Sequence, residues 1–312
     1  MNTTEKLLTG LVNIGERQFS GEKDATELLK NSLQREGVPV YVQEFPLKLP
    51  QEKSAVLLLD GKQQECRATS FVSGSIDNKE CIISSALPMA ESPDLPNINF
   101  NPYCRAISRG NHYWNPAVAV SHDVLQRILT ASSVHAKIDI ECVEDTAHNL
   151  LVGNTDDPNC IVFTHYDSIG PGAFDNASGT VACVDAVVQR RHTLDTTLFV
   201  LSGAEELSTK KPYYWGEGYR QFQREYAAQM KHAQQILVVD SVGAGPLQWI
   251  QDPRVLRRAF PINDAEALLP KIQLLCTDLL SLMPVYHSEL DTVNCVELRK
   301  IAEASEKLLL LL

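Results

Sequence analysis

The sequence has little that would tie it to a membrane, to nucleic acid or to an oxidising compartment. No apolar run approaches the roughly 20 residues that a bilayer helix needs, and the leucine run at 308–312 reads as the end of an amphipathic helix. The first residues, MNTTEKLLTGLVNIGER, carry no secretory apolar core. Positive charge is short: 28 Lys and Arg stand against 39 Asp and Glu, a net charge of −11. That balance argues against a phosphate backbone or an anionic lipid surface as partner, and it suits a substrate carrying a free amine. The eight cysteines, at 66, 81, 104, 142, 160, 183, 276 and 295, form no CxxC pair. Scattered through apolar patterns, they behave as small hydrophobes, and a reduced, cytoplasmic protein is the expectation. Repeats and low-complexity tracts are lacking too. At 312 residues the chain can bury a sizeable core, as one large domain or as a main domain with an insertion.

What is present is concentrated in residues 164–179, THYDSIGPGAFDNASG, which follow the apolar run 160–163 and precede a helical pattern over 178–190. The reading is a buried strand, a Gly/Pro loop and a helix start, with Ser178 as N-cap and Val181, Val184, Val187 and Val188 on one face. His165 and Asp167 stand where the strand emerges and Asp175 at the far end of the loop. One imidazole and one carboxylate a short loop apart are zinc ligand types, and a carboxylate two residues from the histidine is placed to orient its ring. Alone, such a histidine is more often a packing residue than a ligand. Two further strand patterns change that balance: 197–201 delivers Glu205 and Glu206, and 236–239 delivers Asp240. In a parallel sheet, ligands gather beyond the carboxyl ends of the strands, so these three ends converge. Near the C-terminus, Tyr286-His287 supplies a second histidine.

The segments His165-Tyr-Asp167-Ser, Gly172-Ala-Phe-Asp175-Asn-Ala-Ser-Gly179, Glu205-Glu206, Val239-Asp240-Ser-Val-Gly243 and Tyr286-His287-Ser-Glu-Leu-Asp291-Thr follow one another in the order of a known family. They resemble the co-catalytic di-zinc exopeptidases of metallopeptidase family twenty-eight, clan MH, whose best-known members are aminopeptidases. Ile14-Gly-Glu-Arg17 is similar to that family's opening segment and Asn149-Leu-Leu-Val152 to its strand before the first ligand. The resemblance implies an α/β fold: a mixed, mainly parallel sheet with helices on both faces. It implies two zinc ions, with manganese or cobalt sharing the ligand preference. Asp175 would bridge them, His165 and Asp240 would hold one, and Glu206 and His287 the other. Adjacent side chains in an extended loop point apart, which leaves Glu205 facing the water as general base while Glu206 binds metal. Asp167 would hold the His165 ring, Tyr286 would stabilise an oxyanion, and the peptide between Asp175 and Asn176 would be cis. The implied substrate is a peptide with a free N-terminus.

Residues 1–48 read as helix, helix, strand, with a helix from Ser20 burying Ala25, Leu28, Leu29 and Leu33 and stopped by Gly37. With 146–312, which alternates strands and helices and includes helices over 214–233 and 295–312, they make up the expected peptidase domain. Between them, 49–145 changes texture: short apolar runs, a Pro/Asn-rich loop over 88–102 and one helix over 123–131 read as a β-rich insertion. Its segment from Pro116 to Leu125 resembles part of the protease-associated domain that family members insert here. A lid over the cleft and a packing module are both consistent with it. His112, Tyr113, Trp114 and His122, lacking a partner motif, read as packing residues.

The chain departs from the family pattern after Glu206, where 207–215 is longer and more aromatic, and between Asp240 and His287, which is shorter and lacks an Asp-His motif. Tyr213, Tyr214 and Trp215 are therefore candidates for a side-chain pocket. Beside the aminopeptidase reading stand a glutaminyl-peptide cyclotransferase, built on a similar fold, and a non-catalytic binding module. A carboxypeptidase lacks a motif-placed arginine for the terminal carboxylate.

Overall fold

The computed structural model describes residues 3–86 and 95–312; residues 88–94 of the loop read over 88–102 lie outside them. In chain order the elements are α1 (Thr3–Ile14), α2 (Ser20–Arg35), β1 (Tyr41–Leu59), β2 (Lys62–Gln64), β3 (Arg67–Ala68), β4 (Gly74–Ile76), β5 (Ile82–Ser84), β6 (Asn97–Phe100) and β7 (Ala117–Ala119). There follow α3 (His122–Thr130), β8 (Val134–Gly153), β9 (Cys160–His165), α4 (Ser178–Gln189), β10 (Thr197–Ser202), α5 (Glu217–His232) and β11 (Gln235–Val239). The chain ends with β12 (Gln248–Ile250), α6 (Pro253–Ala259), β13 (Ile272–Cys276), α7 (Leu279–Leu282) and α8 (Leu298–Leu309). It divides into two compact units: Met1–Leu47 with Thr146–Leu282 and Asp291–Leu312, and Lys48–Asp145 with Met283–Leu290.

The first unit is the expected mixed α/β domain. Its sheet runs β12-β13-β11-β9-β10-β8-β1, with β13, β11, β9 and β10 mutually parallel and β12 and β8 antiparallel to their neighbours. Every residue of β9 and β10 is buried, as strands covered by helices on both faces must be, and this is why they read as unbroken apolar runs. Alternate residues feed opposite cores. Val162, Phe199, Leu201, Leu237 and Val239 pack with α1, α2, α4 and α8; Ile161, Phe163, Leu198, Val200 and Val238 pack with α5 and α6. Each such side chain, fully buried, contributes roughly 1.5–3 kcal/mol.

Helix α2 starts at Ser20, buries Ala25, Leu29 and Leu33 and ends before Gly37, whose φ of +69° fits glycine. Helices α5 and α8 are each shorter at both ends than the apolar pattern suggests. Helix α4 corrects one expectation. Ser178 is not its N-cap: the hydroxyl donates to the Phe174 carbonyl and accepts from the Val242 amide, so it joins the loop to the segment after β11.

The second unit holds a sheet in the order β3-β7-β6-β5, a hairpin of β1 with β2, and β4 paired to β8 at Ser75↔Lys137. Its core gathers Leu57, Ile76, Ile98, Val118, Ile128 and Ile138 around α3. Strand β6 also buries Asn97 and Asn99, and Asn99 Nδ2 donates to Asn97 Oδ1 and to Thr69 Oγ1.

Candidate metal centre

Register brings the ligand candidates of the first unit to one level. Ser202 at the end of β10 pairs with His165 at the end of β9, and Val238 of β11 pairs with Phe163. Glu205 and Glu206 follow β10, and Asp240 is the first residue past β11. Three neighbouring parallel strands thus release their functional side chains at the same edge, where ligands of open α/β sheets bind.

The side chains meet there. His165 Nε2 lies 3.4 Å from Asp175 Oδ1 and 3.6 Å from Asp240 Oδ1. One donor atom each from His165, Asp175 and Glu206 fall within 4.8 Å of one another. These residues are buried; the Asp240 side chain, 24 % exposed, is where the set meets solvent. An imidazole nitrogen among carboxylate oxygens is a donor set that fits zinc, and manganese or cobalt as well.

Asp167 acts differently from the simple expectation. Its carboxylate accepts the amides of Glu205 and Glu206, both at 2.9 Å, and the Gln18 side chain at 3.2 Å. The His165 Nδ1 sits 3.3 Å from the Asp167 carbonyl oxygen and 3.4 Å from Oδ1. Two strong N–H donors compete for the carboxylate, so it fixes the Glu205-Glu206 turn first and the ring second.

Three residues without an assigned role in the sequence reading hold the loop. Asn176 spends its whole amide: Nδ2 donates to Thr164 Oγ1 and the Val239 carbonyl, and Oδ1 accepts the amides of Gly179 and Ser241. It ties the ends of β9 and β11 to the loop, and a Cβ at Gly179 would collide with it. Asp291 accepts the Phe174 amide at 2.7 Å and the Asp175 amide at 3.0 Å. Arg17 lies beneath, donating to the loop carbonyls of Pro171 and Gly172. All three stand inside the segments quoted above; a buried polar residue in such a motif is the signal that identifies them. The 175–176 peptide is cis, as the resemblance implies.

Burial opposes charge on His165, but Asp167, Asp175 and Asp240 outweigh it and raise its pKa well above the ordinary value. Burial, reinforced by Glu206, Asp167 and Asp240 and opposed by His165, pushes Glu205 well above the usual carboxylate range. Burial likewise pushes Asp291 up to about 7 despite its two amide donors. So much negative charge around one imidazole is a setting that a divalent cation would relieve.

His287 and Tyr286 belong to the second unit. Their rings stack at 3.7 Å between centroids. The Arg109 amide donates to the His287 carbonyl, the His287 Nδ1 lies 3.2 Å from the Arg109 carbonyl oxygen, and Ser108 Oγ donates to the Tyr286 carbonyl. Asn101 extends the mount, donating to Ser108 Oγ and to the Met283 carbonyl. His112 packs against Phe71, which stacks on Trp114, and His122 bonds the Asn101 carbonyl; all are packing residues. Tyr213, Tyr214 and Trp215 form an edge-to-face cluster, with the Trp215 indole donating to the Arg258 carbonyl.

Residues 148–250 match the model of peptidase family M28. No curated protein sequence matches. Among solved structures the chain is similar in fold to BSAP, a zinc aminopeptidase from Bacillus subtilis, at 15% identity over 98% of this chain and 92% of that one, with a TM-score of 0.69. An aminopeptidase from Aneurinibacillus sp. strain AM-1 aligns at 17% identity over 97% and 91%, TM-score 0.63. A glutaminyl cyclase from Tannerella forsythia aligns at 13% identity over 98% and 96%, TM-score 0.52.

Proposed function

We propose that this chain, of which residues 148–250 match the model of peptidase family M28, is a metallo-aminopeptidase. It removes the N-terminal residue of a peptide substrate whose free amine suits a site rich in carboxylates. The observation that carries the reading is the cluster of His165, Asp175 and Glu206 donor atoms, within 4.8 Å at the carboxyl edge of the sheet, with Asp240 beside it. When bound, zinc supplies Lewis acidity for the attacking water and the scissile carbonyl. Glu205, buried beside Glu206, takes the water's proton and hands it to the departing amine. Asp167, through the two amides it accepts, keeps Glu205 and Glu206 facing their separate tasks.

The proposal carries two ions, which His165, Asp175, Glu206, Asp240 and His287 would hold. Tyr286 is its candidate oxyanion donor. A cytoplasmic location and a partnership with neither membranes nor nucleic acid belong to the same reading; no helix among the described residues is long and apolar enough to cross a membrane.

The test is metal content per chain by plasma mass spectrometry, before and after zinc addition, alongside a panel of aminoacyl substrates. Two ions per chain with release of N-terminal residues is the expected result. One ion, with cyclisation of N-terminal glutamine and no hydrolysis, would replace the proposal with a glutaminyl cyclase. No metal and no turnover would leave a binding module.

A further inference from the structure

Between α1 and α2 the chain makes a short link, and the arginine in it is fully buried. A buried cation needs partners, and those of Arg17 are main-chain oxygens of the metal-centre loop. Its Nε donates to the Tyr166 carbonyl, its two terminal nitrogens to the carbonyls of Pro171 at 2.6 Å and Gly172 at 2.8 Å, and one of them also to Leu11 at 3.3 Å. Its own amide donates to Ser168 Oγ, which bonds the Gly170 carbonyl. One residue thus touches the loop just after His165, midway, and three residues before Asp175. Gly172, the last point of contact, has φ +57° and no room for a Cβ against Ser168 and the Asp175 carbonyl, so the loop has little freedom to reach Asp175 by another path.

We propose that Arg17 is a positioning residue of the candidate metal centre: its guanidinium fork grips the Tyr166, Pro171 and Gly172 carbonyls and so sets the spacing of His165 and Asp175. The inference rests on the metallopeptidase reading of that centre. The planar fork is the essential feature, because its donors stand on three separate nitrogens held in one plane, whereas a lysine offers all of its donors from a single ammonium nitrogen. The charge contributes as well: burial lowers the Arg17 pKa to about 10, opposed by Asp167, Asp291, Glu206 and Asp175, so the group stays a cation at neutral pH beneath the carboxylates.

The experiment compares zinc affinity of wild-type, Arg17→Lys and Asp175→Ala protein, stripped of metal and titrated against a chromophoric chelator. Amide exchange over 166–176 is followed in the zinc-free proteins. Groups that orient metal ligands typically contribute 10–100-fold in affinity, and Arg17→Lys is expected to weaken zinc within that range. Exchange should rise over 166–176 and stay unchanged in β10 and β11. Wild-type affinity in Arg17→Lys, or a loss matched by faster exchange throughout the sheet, overturns the proposal, the latter because it marks a merely structural residue. Should Arg17→Lys not fold, Ser168→Ala releases the Arg17 amide together with the Gly170 carbonyl and leaves the guanidinium in place; it is expected to weaken zinc about two- to fivefold, less than the loss of a full ligand-orienting group, and unchanged affinity there overturns the proposal. Failure of the underlying reading looks different: wild-type protein would bind no zinc, or Asp175→Ala would bind it as tightly as wild type.

Discussion

Of the segments that carry candidate functional side chains, two, one in each unit, are each pinned by a buried asparagine in a different way. In the first unit Asn176 binds groups that the sheet has already aligned, the ends of β9 and β11 and the start of α4. In the second unit Asn101 and Ser108 reach a loop about 180 residues away in sequence, bonding Met283 and Tyr286 with no strand register to place them. The first arrangement is a scaffold trimmed by side chains; the second is one irregular segment moulded on another. Stability of the His165 loop is therefore shared with the whole sheet, whereas that of the His287 loop depends on a few local bonds.

The sharpest break in the comparison concerns chemistry. If the proton-transfer group sits on the sheet-supported side, Glu205→Ala lowers kcat by about 10²–10⁴ while leaving metal content at the wild-type value. His287→Ala, on the moulded side, lowers metal content. Retention of activity in Glu205→Ala would remove the general base from the scheme; wild-type metal content in His287→Ala would remove that ligand.

Stability comes next. Asn176→Ala strands a hydroxyl, a carbonyl and two amides in a buried place, at about 1–3 kcal/mol for each group left unpaired after relaxation. A loss of about 3 kcal/mol or more in urea unfolding of the zinc-free protein is expected, cooperative with the sheet. Asn101→Ala removes fewer bonds from a loop mount and is expected to cost about 1–2 kcal/mol, with faster amide exchange over 283–290 and no change in β9. An equal global loss from both substitutions would erase the distinction between scaffold and mould.

The same distinction decides what was legible in the sequence. Residues 160–179 announce themselves because strand, loop and helix each have a local period and local turn chemistry. His165, Asp175, Glu206 and Asp240 then follow from the strand-end rule, and the structure brings them together. Nothing local announces that Asn101 and Ser108 hold the His287 loop, or that residues 283–290 fold with the β-rich unit; those bonds join two irregular segments far apart in the chain. Ser178 reads as an N-cap because a hydroxyl at a helix start has two uses, and here a nearby carbonyl and amide claim it. Arg17 and Asp291 were visible as letters without roles, since a buried polar side chain declares its partners only in three dimensions.

The smallest expected effect lies on the scaffold side, where His148 of β8 meets Glu22 of α2. Its Nδ1 is 3.0 Å from Glu22 Oε2 and 3.1 Å from Oε1, and Glu22 also accepts the Tyr166 hydroxyl. The Glu22 hydrogen bond raises the His148 pKa, burial and Lys23 oppose it, and Glu44 adds to it. A histidine whose folded-state pKa lies above its unfolded value of about 6.5 stabilises the fold fully below that value and loses the contribution as pH rises through the folded-state pKa. The stability difference between wild type and His148→Gln, measured by urea unfolding of zinc-free protein, should therefore be largest near pH 6 and shrink toward pH 9. A difference that is flat or grows with pH would mean that Glu22 holds the neutral imidazole, and that the scaffold beneath Tyr166 is neutral hydrogen bonding rather than an ion pair.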